Sequence, residues 1–293
     1  MSWVPIALLC AFSLALADAL SKRRLSQLPT PTLTLVRAAL PGVVLLPAMP
    51  WVLASTPLLQ LPMSFWGWLL AAMPLEVLAI TLYTRAIQAS PLSQTLPYLA
   101  LTPVLTVLTG RVLLGETISM QGLMGILLVA AGTWGLNLEH AGWHPRTWLS
   151  PFRAMLRQRG ARLMLAVASI YAVTAALSKG AVNYMDGLAF GVVYFVALSV
   201  VAFAWYGLRT PGAAVACFRG GRWAWTVAAL MALMVVTHFW AQAQTTAAYM
   251  IAVKRISVLF GLLLGAWMFK EARLAQHLGA AALMVAGVAL VVA

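Results

Sequence analysis

The chain has 293 residues, of which 63% are hydrophobic and only 9% are charged, and its mean hydropathy is +0.92. This composition excludes a water-soluble globular protein, because it leaves too little polar surface to keep the chain dissolved. The formal net charge of +13 would indicate nucleic-acid binding in a soluble protein, but in a membrane protein it bears on orientation, so we predict no nucleic-acid partner.

Apolar runs long enough to cross a bilayer recur from one end of the chain to the other. A spanning helix needs ~20 mostly apolar residues. Ten runs meet this requirement, at 3–21, 33–53, 65–87, 92–113, 119–137, 162–180, 187–207, 223–243, 250–268 and 275–293. We predict an all-α polytopic membrane protein with ten transmembrane helices, called spans 1 to 10 in chain order. No basic region precedes the first run, so we interpret it as a span and not as a cleavable signal.

The segment 138–161 is the one substantial stretch outside the predicted spans. Its apolar side chains interleave with arginines, which is typical of an amphipathic helix on an anionic membrane surface, although a solvated linker explains the pattern equally well. His140 and His144 lie four residues apart, but no cysteine or aspartate accompanies them. We therefore predict no metal site and no cofactor.

Basic residues are distributed unevenly between the two sides of the membrane. Loops that follow odd-numbered spans hold most of the 19 lysines and arginines. The positive-inside rule puts these loops in the cytoplasm and both termini outside. We expect a multi-pass protein of a bacterial inner membrane.

The chain also contains a weak internal duplication. The sequence Ala19–Lys22 at the end of span 1 recurs as Ala176–Lys179 at the end of span 6, 157 residues later. A second set recurs after 155 residues, with Gly110, Glu116 and Gly132 matching Gly265, Glu271 and Gly287. Five spans per copy is an odd number, so the second copy enters the membrane inverted. We predict two inverted five-helix repeats, 1–137 and 162–293, which is typical of secondary transporters, with a channel as the alternative.

Two stretches resemble a known family. Residues 90–132, with a proline after a threonine and a Gly-Glu pair in the loop, resemble the EamA-like branch of the drug/metabolite transporter superfamily. Residues 254–290 resemble its closing segment and are similar to the triose-phosphate and nucleotide-sugar translocator branch, where a Lys-Arg pair opens the ninth span. The resemblance implies a ten-helix fold and alternating-access transport. It also implies cytoplasmic termini, against the charge distribution, which we keep.

Two carboxylates inside the spans are candidates for carrying a coupling proton. An ionised group at the bilayer centre costs more than ~2.5 kcal/mol, so each one suggests a function. Glu76 lies in the middle of span 3, and the equivalent position in the second half is Met231. Glu76 is expected to titrate or to bind a cationic part of the solute, unless a neighbouring arginine or hydroxyl simply satisfies it. For Asp18, a salt bridge to Lys22 four residues later is the alternative explanation.

A pair of cations, Lys254 and Arg255, interrupts span 9. In the resembling translocators this pair holds the substrate phosphate together with lysines at the ends of spans 1 and 6, which implies the same role for Lys22 and Lys179. Several cations that converge in a cavity of low dielectric constant need an anion to offset their repulsion. Snorkelling of the two span-end lysines to the membrane surface is the alternative.

Span 8 supplies further candidates for solute contact. His238 and Gln242 lie four residues apart and share one helix face, with Trp240 as a stacking wall. Tyr98 in span 4 and Tyr171 in span 6 are weaker candidates of the same kind. Alternatively, these polar side chains hydrogen-bond to other helices and hold the bundle together.

Together these patterns predict a secondary transporter of small anionic or zwitterionic metabolites, phosphorylated ones among them. Its partners would be the solute, membrane lipids and a coupling ion or counter-solute, and it would act as a monomer or homodimer. An exporter of neutral amino acids or drugs is the nearest alternative, and a membrane scaffold or sensor without transport is an alternative of another class. The sequence contains neither HExxH nor GxSxG, so we predict that the protein is not an enzyme.

Overall fold

The computed structural model describes residues 3–90, 95–138, 159–269 and 278–293, and all regular structure within them is helical. The predicted amphipathic segment 138–161, with its two histidines, and Glu271 of the duplication lie largely or wholly outside the described residues.

The helical segments correspond to the predicted apolar runs. Seven are long and apolar enough to cross a membrane, namely Trp3–Arg24, Thr30–Ser55, Met63–Ala89, Arg159–Val182, Gly187–Arg209, Gly221–Ala243 and Ala247–Gly265. They correspond to spans 1, 2, 3, 6, 7, 8 and 9. The shorter apolar helices Tyr98–Leu114, Met120–Gly135 and Gly279–Val292 correspond to spans 4, 5 and 10. A multi-pass helical membrane protein is therefore confirmed, whereas ten crossings stays a prediction.

Span 2 is not one continuous helix. It consists of the pieces Thr30–Ala38, Leu40–Leu45, Leu46–Ala48 and Met49–Ser55, of which the third is a 3₁₀ turn. Pro41, Pro47 and Pro50 stand in its later pieces. Each proline removes a helical hydrogen bond and clashes with the preceding turn, which accounts for the interruptions. The first interruption of this helix lies at Ala39, two residues after Arg37.

Spans 4 and 9 are interrupted at equivalent positions. The first piece of span 9, Ala247–Lys254, ends at the cation pair, and the second begins at Ser257. Span 4 opens with the 3₁₀ turn Leu96–Ala100 before its α-helix, Leu101–Leu114. A shift of 155 residues places Lys254 and Arg255 on the last two residues of that turn. Discontinuous helices of this kind surround the binding sites of many transporters.

The helices pack in matched pairs. Span 1 packs against span 8, span 6 packs against span 3, and span 5 packs against span 10. In the last pair, a Cβ atom on Gly125 would collide with the carbonyl of Gly287, and one on Gly132 would collide with the carbonyl of Ala280. Small residues allow this close approach, which gives the van der Waals contact that holds helices together in lipid.

A short helix, Pro211–Phe218, lies between spans 7 and 8, where the sequence predicted a loop. It packs against the first piece of span 2 and buries Ala213 and Cys217. Burial raises the pKa of the Cys217 thiol to about 11, so this cysteine stays protonated at neutral pH. Cys10 and Cys217 are both free thiols.

Candidate functional site

A cavity lies at the centre of the bundle, between spans 1 to 4 and spans 6 to 9. It holds about 780 Å³ of space free of protein atoms, counted out to its open side. Its polar lining consists of Arg37, Glu76, Tyr83, Tyr171, Thr174, Ser178, Tyr194, His238, Lys254 and Arg255. Glu76 stands at the midpoint of the helix Met63–Ala89, so the cavity reaches the middle of the predicted membrane.

A buried ion pair forms one wall of this cavity. Nη2 of Arg37 lies 2.7 Å from Oδ1 of Asp18, and both side chains are almost fully buried. The Tyr83 hydroxyl donates to Oδ2 of Asp18 at 2.6 Å, and Nη1 of Arg37 donates to the Ser21 hydroxyl at 3.0 Å. The predicted bridge between Asp18 and Lys22 is therefore wrong. Asp18 faces span 2, because the guanidinium of Arg37 offers it a closer and better-shaped partner.

The second cationic group of the cavity is built differently. Arg255 is only 3% exposed, yet its Nε and Nη1 atoms have no hydrogen-bond partner among the described residues. It follows Lys254, the last residue of the first helical piece of span 9. The negative partial charge at a helix carboxyl end stabilises cations there. This partial charge does not replace the hydrogen bonds that the guanidinium donors lack. A buried charged group without such bonds is strongly unfavourable.

Glu76 faces the same cavity between hydroxyl groups. The Tyr194 hydroxyl lies 3.5 Å from its Oε2 atom, and Thr174 is a further hydrogen-bonding neighbour. Lys254 is the nearby positive charge that acts on this carboxylate. Among the described residues, Glu76 thus forms no ion pair of the kind that Asp18 has.

The charges on the cavity wall do not balance. Asp18 offsets Arg37, which leaves the carboxylate of Glu76 against the two cations Lys254 and Arg255. With Lys254 and Arg255 both charged, the wall carries one excess positive charge when Glu76 is ionised and two when it is protonated. An anion in the cavity would offset this excess, whose electrostatic cost is high in a medium of low dielectric constant.

The opposite side of the cavity is aromatic and apolar. The rings of Tyr194 and Phe239 lie 4.7 Å apart, and the ring of His238 lies 4.9 Å from that of Phe239. Nδ1 of His238 is buried and has no hydrogen-bond partner among the residues that the structure describes. Met231 and Met234 complete the apolar side. A ligand with one charged end and one apolar end fits such a lining.

Two of the predicted lysines lie outside the cavity and bind helix ends. Nζ of Lys22 donates to the carbonyl of Ile87 at 2.6 Å, at the carboxyl end of span 3. Nζ of Lys179 donates to the carbonyl of Gln242 at 2.8 Å, at the carboxyl end of span 8. Ile87 and Gln242 are 155 residues apart, so the two halves form the same bond at equivalent positions. Each lysine thus adds a charged donor to a carbonyl in the last turn of a helix, where the negative end of the helix dipole favours a cation.

Three further candidates lie away from the cavity. Gln242 is fully buried and donates through Nε2 to the carbonyl of Ala175 at 3.0 Å, which ties span 8 to span 6. Tyr98 is buried against the ring of Trp134, with centroids 5.9 Å apart. Trp240 is 41% exposed on the outer surface of the bundle. The structure therefore brings together Glu76, Tyr171, His238, Lys254 and Arg255 of the predicted set.

Several residues of the cavity wall were not predicted from the sequence. Arg37 carried a usable signal, because it is a charge inside a predicted span and meets the criterion that selected Glu76. Tyr83, Tyr194 and Thr174 carried none. Hydroxyl-bearing residues occur on every face of these helices, and only the packing shows which faces meet the cavity.

Glu116 lies outside the spans, in the loop between spans 4 and 5. Its carboxylate accepts the backbone N–H of Ala247, the first residue of span 9, at 3.2 Å. Burial raises the pKa of Glu116, while the bond from Ala247 and the charge of Lys179 act in the opposite direction. This contact joins the loop of the first half to span 9 of the second half, near the Lys179 bond.

Comparisons with known proteins agree with this architecture. Residues 1–138 match the EamA-like transporter family. The match supports the resemblance to the drug/metabolite transporter superfamily, whose members are membrane transporters of small molecules and not enzymes. The triose-phosphate translocator branch stays a prediction.

A solved structure described as "Crystal structure of protein" has a similar fold, with a TM-score of 0.70. The alignment covers 99% of this chain and 95% of that chain, at 19% sequence identity. At this identity the likeness concerns the fold alone. No curated protein sequence matches the chain.

Proposed function

We propose that the protein is a secondary transporter that moves small organic anions or zwitterions across the membrane by alternating access. The observation that carries this proposal is Arg255, a buried guanidinium beside a central cavity, two of whose nitrogens have no partner within the described ranges. Lys254 adds a second positive charge next to it. A carboxylate or phosphate is the ligand that such a forked donor binds best.

We further propose that the chain crosses the membrane ten times, as two inverted five-helix repeats. Three features support this arrangement. The hydrogen bonds of Lys22 and Lys179 occupy corresponding positions in the two halves. The packing of span 1 on span 8 likewise corresponds to the packing of span 6 on span 3. The contacts Gly125–Gly287 and Gly132–Ala280 also exchange under a shift of 155 residues. Such a pair of repeats has two equivalent ends, which alternate in opening to the two sides.

Glu76 gives this carrier a route to proton coupling. When Glu76 binds a proton, the cavity gains positive charge and attracts an anion more strongly. Uptake of the proton and of the anion therefore favour each other. When Glu76 stays ionised, it can instead accept the ammonium group of a zwitterion whose carboxylate lies on Arg255. An exporter of neutral amino acids is the second candidate function, and this opposed pair of charges favours it.

We assign the substrate contacts to Lys254, Arg255, His238 and Tyr171. Lys22 and Lys179 are assigned to the helix ends instead, since their ammonium groups lie on backbone carbonyls. The predicted orientation, with odd-numbered loops in the cytoplasm of a bacterium, is retained as part of the proposal. Labelling of a cysteine placed at either terminus by a membrane-impermeant reagent tests it.

Counterflow in proteoliposomes tests the transport function. Purified protein is screened for thermal stabilisation by carboxylated, phosphorylated and zwitterionic compounds, and a stabilising compound is then followed in counterflow. We expect Arg255→Gln to weaken both stabilisation and counterflow strongly, whereas the exposed Arg219→Gln retains both. A wild-type protein that binds a compound but shows no counterflow would be a sensor or scaffold. Unchanged binding by Arg255→Gln would refute the site.

A further inference from the structure

Two arginines from different helices share one tryptophan ring at the membrane face that carries the odd-numbered loops. The guanidinium carbon of Arg24, the last residue of span 1, lies 4.8 Å from the ring centroid of Trp223. The guanidinium carbon of Arg222 lies 5.0 Å from the same centroid, at the start of span 8. The two guanidinium carbons are therefore at most about 10 Å apart, so both positive charges lie within the reach of one lipid headgroup.

No acidic side chain of the described residues reaches this pair. Asp18 is bonded to Arg37, and Glu76 faces the cavity. Glu116 binds the start of span 9, and Asp186 caps the start of span 7. Both carboxylates therefore lie at the opposite face of the predicted membrane from Arg24 and Arg222. Two like charges that converge without a counter-charge repel each other, and a bound anion removes this repulsion.

The surface below the arginines is apolar and faces the predicted lipid. Arg222 begins a line of exposed positions on span 8 that continues through Thr226, Ala229 and Leu233, with the helical spacing of four, three and four residues. Leu233 is 42% exposed. Exposed positions along a spanning helix face the hydrocarbon of the bilayer, so acyl chains pass along this line beneath the charged groups.

We propose that Arg24, Arg222 and Trp223 bind the headgroup of an anionic phospholipid, with its acyl chains along span 8. The phosphate and any second negative group contact the guanidinium groups of Arg24 and Arg222. The indole orients these groups through cation–π contacts at the interface, where tryptophan is favoured. A zwitterionic phospholipid binds less well, because its own ammonium group offsets the phosphate. This site is separate from the central cavity and does not rest on the transport function.

Native mass spectrometry with defined lipids tests this site. Protein in a neutral detergent is titrated with phosphatidylglycerol and with phosphatidylcholine of the same acyl chains. We expect one saturable site that prefers phosphatidylglycerol. Each basic residue near an anionic lipid contributes about 1 kcal/mol, so Arg24→Gln and Arg222→Gln should each weaken binding about fivefold.

Arg209 is the matched control for the two variants. It is exposed at the end of span 7 on the same face, and its guanidinium carbon lies 3.7 Å from the ring centroid of Trp205 in its own helix. Arg209→Gln removes the same charge and should change the affinity less than twofold. An equal loss in this control would mean that general surface charge attracts the lipid, and would overturn the site.

Two further measurements separate the remaining outcomes. Inorganic phosphate at millimolar concentration should displace little phosphatidylglycerol, because it lacks acyl chains; full displacement would mean a free-anion site instead. If an arginine variant loses stability in detergent, Trp223→Leu provides a second test. It keeps both charges and should still weaken lipid binding, because the indole no longer orients the guanidinium groups. Wild-type affinity in Trp223→Leu and in the arginine variants would refute the proposal.

Discussion

Arg37 and Arg255 line the same cavity, but their partners differ. Arg37 has an aspartate, a serine hydroxyl and a tyrosine ring around it and leaves its Nε without a partner, whereas Arg255 leaves both Nε and Nη1 without partners and has no counter-charge bonded to it among the described residues. Both are at most 3% exposed. The comparison separates a charge that holds the helices together from a charge that is kept for a ligand. The first should matter for stability and the second for binding.

The largest effect is expected from breaking the structural pair. Asp18→Asn leaves the guanidinium of Arg37 buried without its counter-charge, which costs about 3–5 kcal/mol of unfolding free energy. Thermal unfolding in detergent measures the loss. The double variant Asp18→Asn with Arg37→Gln should recover part of it, because no unpaired charge then remains. If Asp18→Asn unfolds at the wild-type temperature, Arg37 is not held by this pair.

Arg255→Gln should have the opposite profile. Nε and Nη1 of its guanidinium form no hydrogen bond within the described part of the chain. The unfolding temperature without ligand should therefore stay near the wild-type value or rise. Affinity for the anionic ligand should fall about ten- to a hundredfold, the loss expected for charge-assisted hydrogen bonds worth about 1.5–3 kcal/mol. Thermal shift titration gives both quantities on one sample. A variant that loses stability but keeps its affinity would reverse the assignment of the two arginines.

The two lysine bonds allow a test of the equivalence between the halves. Lys22→Met and Lys179→Met each remove a charged donor from carbonyls at a helix end, at a cost of about 1.5 kcal/mol. We expect similar losses of unfolding temperature in the two variants and little change in ligand affinity. Arg23→Met, an exposed neighbour, is the control. A strong loss of ligand affinity in either variant would show that this lysine contacts the substrate, and would contradict its assignment to a helix end.

The smallest effect concerns the pH dependence at Glu116. Burial raises the pKa of this carboxyl in the folded protein, so the folded state binds the proton more tightly than the unfolded state does. Its contribution to stability is therefore largest at low pH and is lost as the pH rises through the raised pKa. We expect the difference in unfolding temperature between wild type and Glu116→Gln to vary as the pH rises from the usual pKa of a glutamate through the raised pKa of Glu116. A constant difference over this range would contradict the raised pKa.

Part of the site followed from the sequence and part did not. Glu76, Lys254 and Arg255 were identified because a charge inside an apolar run is unusual wherever the helix points. The same reasoning applied to Arg37 would have found it. Lys22 and Lys179 were recognised as equivalent residues, but not as partners of helix ends. Their partners are 65 and 63 residues away along the chain, and no local pattern indicates which carbonyls they reach.

By itself, the sequence determined that the protein lies in a membrane and where its apolar helices run, because hydropathy accumulates along each segment and needs no knowledge of its neighbours. It also indicated a duplication, since similar residues recur at nearly constant spacing. Only the tertiary structure decided which charges meet. Asp18 and Arg37 stand on different spans, and whether a buried charge is neutralised depends on groups that packing brings within a few ångströms of it.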